Sequence, residues 1–200
     1  MPHYLYQTES FIIGSRGIND GSRLLDLLTQ DLGRVSVLAQ GSRELRSKLR
    51  YRLSDFAFFH ASLVRGREFW RLVGAEPVLT IKADSLTADP EQRILVARLA
   101  LLLRRFLVTN ESSIDRQLYS EIRSAIAFLT ERNLSAEEME RYEVAVVWRL
   151  LAKLGYGRRT PALEAVLAHQ DWSHDLLATT AACQAEAVAS INEAFYHSQL

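Results

Sequence analysis

Cysteine is almost missing: Cys183 stands alone in 200 residues. With no second thiol there is no internal disulfide, and a zinc site built from four cysteines is excluded. Long apolar runs are missing too. The greasiest stretch, Ile94 to Val108, is broken by Arg98, Arg104 and Arg105 and is too short to span a bilayer. The start of the chain has no basic region leading into an apolar run, so no secretory signal and no membrane partner are expected, and a cytoplasmic location fits.

Catalytic signatures are equally scarce. His3, His60, His169, His174 and His197 are scattered, with no two at a helix-ligand spacing. Gly14-Ser15-Arg16-Gly17 lacks the lysine and the glycine spacing of a phosphate loop. His169, Asp171, His174 and Asp175 form the only group with a metal-like composition, and a surface turn with a helix cap explains it more simply. No enzyme, catalytic residue, metal or cofactor is expected.

Net charge is the last absence, since 24 Lys and Arg balance 24 Asp and Glu. The balance is not local. Residues 1–82 hold twelve basic and eight acidic side chains, and residues 83–200 hold twelve and sixteen. Screening confines a charge to roughly 8 Å at physiological salt, so local patches decide contacts. The densest patch is GSRELRSKLRYR, residues 41–52, where Arg43, Arg46, Lys48, Arg50 and Arg52 surround one acid, Glu44. As a strand edge it would project Arg46, Lys48, Arg50 and Arg52 from one side. As a helix it would bury Leu45, Leu49 and Leu53 and leave the cations in solvent. Either geometry displays neighbouring cations that repel one another until an anionic ligand arrives.

The hydrophobic pattern changes along the chain. Phe11–Ile13, Leu24–Thr29, Arg34–Ala39, Phe56–Val64 and Glu68–Val73 read as five short strands between turn residues, with Val35, Val37 and Ala39 on one side of the third. Five strands with a longer insertion between the third and fourth predict a small closed barrel, the oligonucleotide/oligosaccharide-binding (OB) fold, over residues 1–82. Residues 83–200 read as a helical domain of four or five helices, giving an α+β chain. Asp89-Pro90-Glu91 opens a helix to about Thr109, and Ser112/Asp115 and Ser135/Glu138 have capping-box spacing. Tyr142, Val146, Leu150 and Leu154 mark a buried stripe that ends at Gly155 and Gly157. Thr160-Pro161 starts a shorter helix, and Ser173 caps a last run to about His197.

On the expected last strand, Arg67, Phe69 and Arg71 share one face, an aromatic flanked by two arginines. Such a set suits a single nucleic-acid strand, with bases on the ring and guanidinium groups on the phosphates. Phe69 or Trp70 as plain core is the competing explanation. Arg34, on the outer face of its strand, and Arg16 and Arg23 near the first turn extend the track. Tyr51, Phe56 and Phe58 are weaker candidates.

Several pieces in order resemble the RecO family of bacterial DNA-repair proteins. They are Leu27-Leu28-Thr29, Gly33-Arg34, Ala39-Gln40-Gly41-Ser42-Arg43 and Arg65-Gly66-Arg67, then Glu140-Arg141-Tyr142-Glu143 and Leu150 to Gly157. The similarity covers roughly residues 5–157. The chain departs from the family at Gln40, where a lysine is usual, and at Glu140, where an arginine is usual. Many members carry a four-cysteine zinc module after this point, but here Arg158-Arg159-Thr160-Pro161 follows Gly157 with no cysteine nearby, so the helical domain is expected to carry no zinc module.

The resemblance implies a recombination mediator of the bacterial cytoplasm and nucleoid. It would bind single-stranded DNA, with duplex DNA as a second ligand, anneal strands, and assist RecA loading with RecR. The site residues it implies are Arg34, Arg43, Arg46, Lys48, Arg50, Arg52, Arg67, Phe69 and Arg71 for DNA. Arg141 would dock an acidic partner, the C-terminal tail of single-strand-binding protein. The alternative is a protein–protein scaffold whose basic barrel docks an acidic partner and never touches DNA.

Overall fold

The computed structural model describes residues 4–18, 21–42, 52–78, 89–109 and 116–198. The chain forms two compact units, residues 1–119 and 120–200. The sequence boundary at 82/83 lies outside the described residues.

The first unit holds five strands: β1 (Leu5–Gly17), β2 (Arg23–Thr29), β3 (Gly33–Ala39), β4 (Phe58–Arg65) and β5 (Trp70–Pro77). They close into a barrel in the order β1-β2-β3-β5-β4, as an OB fold does. β1 is much longer than Phe11–Ile13 because it serves two partners. Leu5–Phe11 pairs with β4, and Ser10–Gly17 pairs with β2, interrupted by a bulge between Ile12 and Gly14. Its polar first half hid it from a search for apolar runs, although Thr8 and Ser10 are both buried.

The barrel interior is filled by Ile12, Leu25, Leu27, Val35, Val37, Ala39, Leu53, Phe59, Leu63 and Leu72. Each large aliphatic or aromatic side chain so buried stabilises the fold by about 1.5–3 kcal/mol. The alternation of Val35, Val37 and Ala39 thus faces inward, as the period of two requires. Phe11 and Ile13 are buried on the outer surface, where helix α1 (Pro90–Phe106) packs on β1. The Asp89 side chain accepts from the Glu91 and Gln92 amides and Pro90 opens the first turn, so α1 begins where the sequence placed it.

The helices after α1, among the described residues, are α2 (Arg116–Glu131), α3 (Ala136–Lys153), α4 (Pro161–Ala168), α5 (His174–Ala182) and α6 (Gln184–His197). The boundary between the compact units falls inside α2. Ser112 and Asp115, the first capping pair, lie outside the described residues. The second is formed in full: Ser135 accepts from the Glu138 amide at 3.3 Å, and Glu138 accepts from the Ser135 amide at 2.9 Å. The α3 stripe of Tyr142, Val146 and Leu150 is completely buried. The helix ends at Gly155, whose φ of +84° only glycine adopts without strain.

The run from Ser173 to His197 is two helices, not one. The Cys183 amide bonds back to Thr180 instead of Thr179, and the chain turns there with no glycine or proline to announce it. Burial pushes the Cys183 thiol above its ordinary value, which keeps it protonated and inert. Among the described residues no helix is long and apolar enough to cross a membrane.

Candidate nucleic-acid interface

The strongest grouping of unpaired cations with aromatics, among the described residues, is the connection from β4 to β5. Arg65 and Trp70 face each other across the last rung of that hairpin, leaving Gly66–Phe69 as the turn. A Cβ on Gly66 would lie 2.3 Å from the Phe69 carbonyl oxygen, so only glycine lets the turn close this tightly. The last strand therefore begins at Trp70 and not at Glu68. Arg67 and Phe69 sit in the turn, and Arg71 alone of the three stands on the strand.

The turn is held on a rigid platform. Trp70 is half-buried against the barrel core. Tyr6 meets it edge to face with ring centroids 5.1 Å apart, and the Arg65 guanidinium lies over it at 5.8 Å. Arg65, Arg67, Glu68, Phe69 and Trp70, with Leu32 and Val35, border an open cleft of about 180 Å³. Arg65, Arg67 and Arg71 are exposed, and none of them forms an ion pair among the described residues. Among the described residues Arg71 reaches the neutral Gln40 side chain, at 3.4 Å.

Arg34 is put to a different use from the one its outward position suggested. It holds Asp26 with two nitrogens, Nε at 3.0 Å and Nη2 at 2.7 Å. Its Nη1 donates to the carbonyls of Arg104 and Leu107 at the end of α1, at 2.7 and 2.6 Å. With 14% of its side chain exposed, Arg34 clamps helix to barrel and has little left to offer a phosphate. Arg23 is likewise engaged, by Asp55, Ser15 and the Leu53 carbonyl.

Arg43, Arg46, Lys48 and Arg50 lie outside the described residues, as does Tyr51. The residues that flank them are anchored. Ser42 is buried and donates to the Ala39 carbonyl at 2.9 Å, and Arg52 donates to the Ala75 carbonyl of β5 at 2.7 Å. Phe58 is buried and stacked on Phe11 at 4.4 Å. Arg141 is held by Glu137 one turn away, at 3.1 Å. His174 pairs with Glu138 at 2.7 Å and His169 meets Thr179 at 3.0 Å, so these histidines serve caps and turns. No group of three or more metal-ligating side chains occurs among the described residues.

Sequence reasoning passed over Arg65, Tyr6 and Trp70 as members of this surface. The Arg-Gly-Arg triplet was a usable signal, because a glycine between two arginines marks a tight turn that displays both.

Comparison with known proteins bears on the same region. Residues 1–81 match the family model described as Recombination protein O N terminal. The chain is 31% identical over 161 residues to the DNA repair protein RecO of Hamiltonella defensa, covering 78% of this chain and 62% of that protein. It is 34% identical over 154 residues to the DNA repair protein RecO of Proteus mirabilis, covering 74% and 56%. With the DNA repair protein RecO of Clostridium novyi the identity is 23% over 154 residues, covering 76% and 57%. The chain thus spans about three fifths of the length of these relatives. A closed five-stranded barrel lies under the family match, and similarity to RecO proteins continues past it into the helices: residues 1–81 belong to the Recombination protein O N-terminal family.

Proposed function

We propose that the protein is a non-enzymatic DNA-binding factor of recombination and repair whose barrel binds single-stranded DNA. In this reading it promotes annealing of complementary strands and assists RecA loading together with RecR, on DNA coated by single-strand-binding protein. One observation carries the reading: Arg65, Arg67 and Arg71, exposed and without carboxylate partners among the described residues, stand around Phe69 and Trp70 where β4 turns into β5, the loop that OB folds commonly present to oligonucleotides.

The physical mechanism follows from charge and stacking. Bases stack on Phe69 and the edge of Trp70, contributing on the order of 1–3 kcal/mol per base. Arg67 and Arg71 take the flanking phosphates, and the basic residues 43–50 add four more cations next to the anchored Ser42. Neutralised backbones repel less, so a second, complementary strand approaches more readily. An acidic protein partner would satisfy the arginines but leave the aromatic cleft without a purpose, which favours DNA over the scaffold reading.

The test is binding of a labelled oligonucleotide at several salt concentrations. Six phosphate contacts, from Arg43, Arg46, Lys48, Arg50, Arg67 and Arg71, give a log–log slope near about −4 for single strands. Affinity then falls on the order of 300-fold between 50 and 200 mM salt. Binding that ignores salt, or no binding at 50 mM, rejects the reading.

A further inference from the structure

A second cleft, of about 200 Å³, opens on the outer face of the barrel where β1, β2 and β3 meet the end of α1. Gly14, Ser15, Arg16, Asp26, Ser36 and Arg104 border it. Arg16 is exposed and has no partner among the described residues, and the Ser36 hydroxyl has none either. The Arg104 side chain passes over Gly14 and is 46% exposed. Asp26, the cleft's one carboxylate, is already answered twice, by the two-pronged Arg34 clamp and by Arg104 at 3.4 Å. The α1 carbonyls of Arg104 and Leu107, which would repel an anion at a helix C-terminus, are capped by Arg34. Arg16 and Arg104 on the lining, with Arg34 behind Asp26, outnumber that carboxylate, and Asp55, which accepts from Ser15, is paired with Arg23, so the cleft is cationic.

The cleft is in register with the β4–β5 site. Arg16 pairs with Leu24, Leu24 with Leu38, and Leu38 with Arg71, so the four residues form one row across β1, β2, β3 and β5. Leu25, Val37 and Leu72, their sequence neighbours, fill the barrel, so the row itself lies on the outer face. Three inter-strand steps put the Cα atoms of Arg16 and Arg71 about 14 Å apart. Cations therefore stand at both ends of a short, largely apolar path.

We propose that the Arg16–Arg104 cleft takes a phosphate of the same DNA strand that engages Arg67 and Arg71. The strand then crosses β5, β3 and β2, and the first helix after the barrel supplies part of the interface. This rests on the single-strand-binding reading above and adds a site to it. The ligand is a phosphodiester, and inorganic phosphate would be held by the same groups.

The test uses the full chain, a labelled sixteen-nucleotide oligothymidylate and a series of salt concentrations. Arg16→Ala removes an exposed side chain with no hydrogen-bond or ion-pair partner among the described residues, so little loss of stability is expected. With the cleft's two contacts added to the six above, the parent slope becomes about −5.6; Arg16→Ala is expected to reduce its magnitude by about 0.7, and Arg16→Ala with Arg104→Gln by about 1.4. Adding 10 mM inorganic phosphate as sodium phosphate at constant ionic strength, on the order of common buffer levels, is expected to weaken the parent chain more than Arg16→Ala, by competition in the cleft. If both variants keep the parent slope while Arg67→Ala with Arg71→Ala lowers it, the cleft is overturned and the DNA reading stands. If Arg16→Ala lowers the slope and the Arg67/Arg71 pair does not, the crossing path is overturned. If the parent chain binds no oligonucleotide, both fall together.

Discussion

Two arginine sites, one in each compact unit, show opposite uses of the same side chain. In the helical unit Arg149 is 3% exposed and meets Glu121 through two nitrogens at 2.7 and 3.0 Å. It also donates to the Val166 and His169 carbonyls and lies 5.5 Å from the Trp172 ring. Trp172 in turn donates to Glu121 at 3.0 Å, and Lys153 approaches the same carboxylate at 3.6 Å. On the β4–β5 turn Arg67 is exposed with no ion pair among the described residues. The buried site is saturated from within, so it ties α2, α3 and the α4–α5 connection together and has no capacity for a ligand. The exposed site has no such partner among the described residues, and in the proposed function an anion from outside completes it. Charge count alone does not distinguish the two; partner count does.

The largest effect expected from breaking this contrast is at Arg149. Arg149→Ala strands Glu121 in the interior and should cost about 3–5 kcal/mol in urea unfolding. Replacing Arg149 and Glu121 together by Met and Leu should cost clearly less, because neither charge is then left alone. An Arg149→Ala protein as stable as the parent would mean that the network is decorative.

Arg34 sharpens the comparison, since it is an arginine of the barrel that behaves like Arg149. Arg34→Ala should destabilise by about 2 kcal/mol through loss of charge-assisted hydrogen bonds to Asp26 and to the end of α1. A change in DNA affinity with no change in melting would return Arg34 to the binding surface.

At the other extreme, Arg67→Ala with Arg71→Ala should leave stability within about 0.5 kcal/mol, as surface substitutions do. The same pair should reduce the salt-slope magnitude by about 1.4. Loss of both stability and binding would show that the turn is structural.

The smallest effect concerns the cap of α3. The Glu138 carboxyl is held below its ordinary value, first by the Ser135 amide and then by His174. Its folded value lies below its unfolded one, so its contribution is present above the unfolded value and fades as pH falls through the folded value. Ser135→Ala with Glu138→Gln should flatten that acid limb of the melting curve slightly, with no change near neutral pH in DNA affinity.

Local rules made much of the fold legible. The inward side of β3 follows from period two at Val35, Val37 and Ala39, and the starts of α1 and α3 follow from Asp89-Pro90 and the Ser135/Glu138 box. What stayed hidden is non-local. Arg34 and Asp26 are eight residues apart in the chain but adjacent across β2 and β3, and the carbonyls that complete the clamp come some seventy residues later. The candidate site was half legible. Arg67, Phe69 and Arg71 were found as a set, but by an alternation that the tight Gly66–Phe69 turn replaces. Trp70 enters the sequence reading only as a possible core residue, because nothing in the sequence says that Tyr6, on β1, reaches it.

The most direct test uses Trp70, the tryptophan of the barrel unit, while Trp148 and Trp172 are buried in the helical unit at 1% and 9% exposure. Intrinsic tryptophan fluorescence is followed as oligothymidylate is added at 50 mM salt. Saturable quenching in the parent chain that disappears in Trp70→Phe is the result predicted if bases enter the β4–β5 cleft. Undiminished quenching in Trp70→Phe would place the DNA elsewhere and contradict the account.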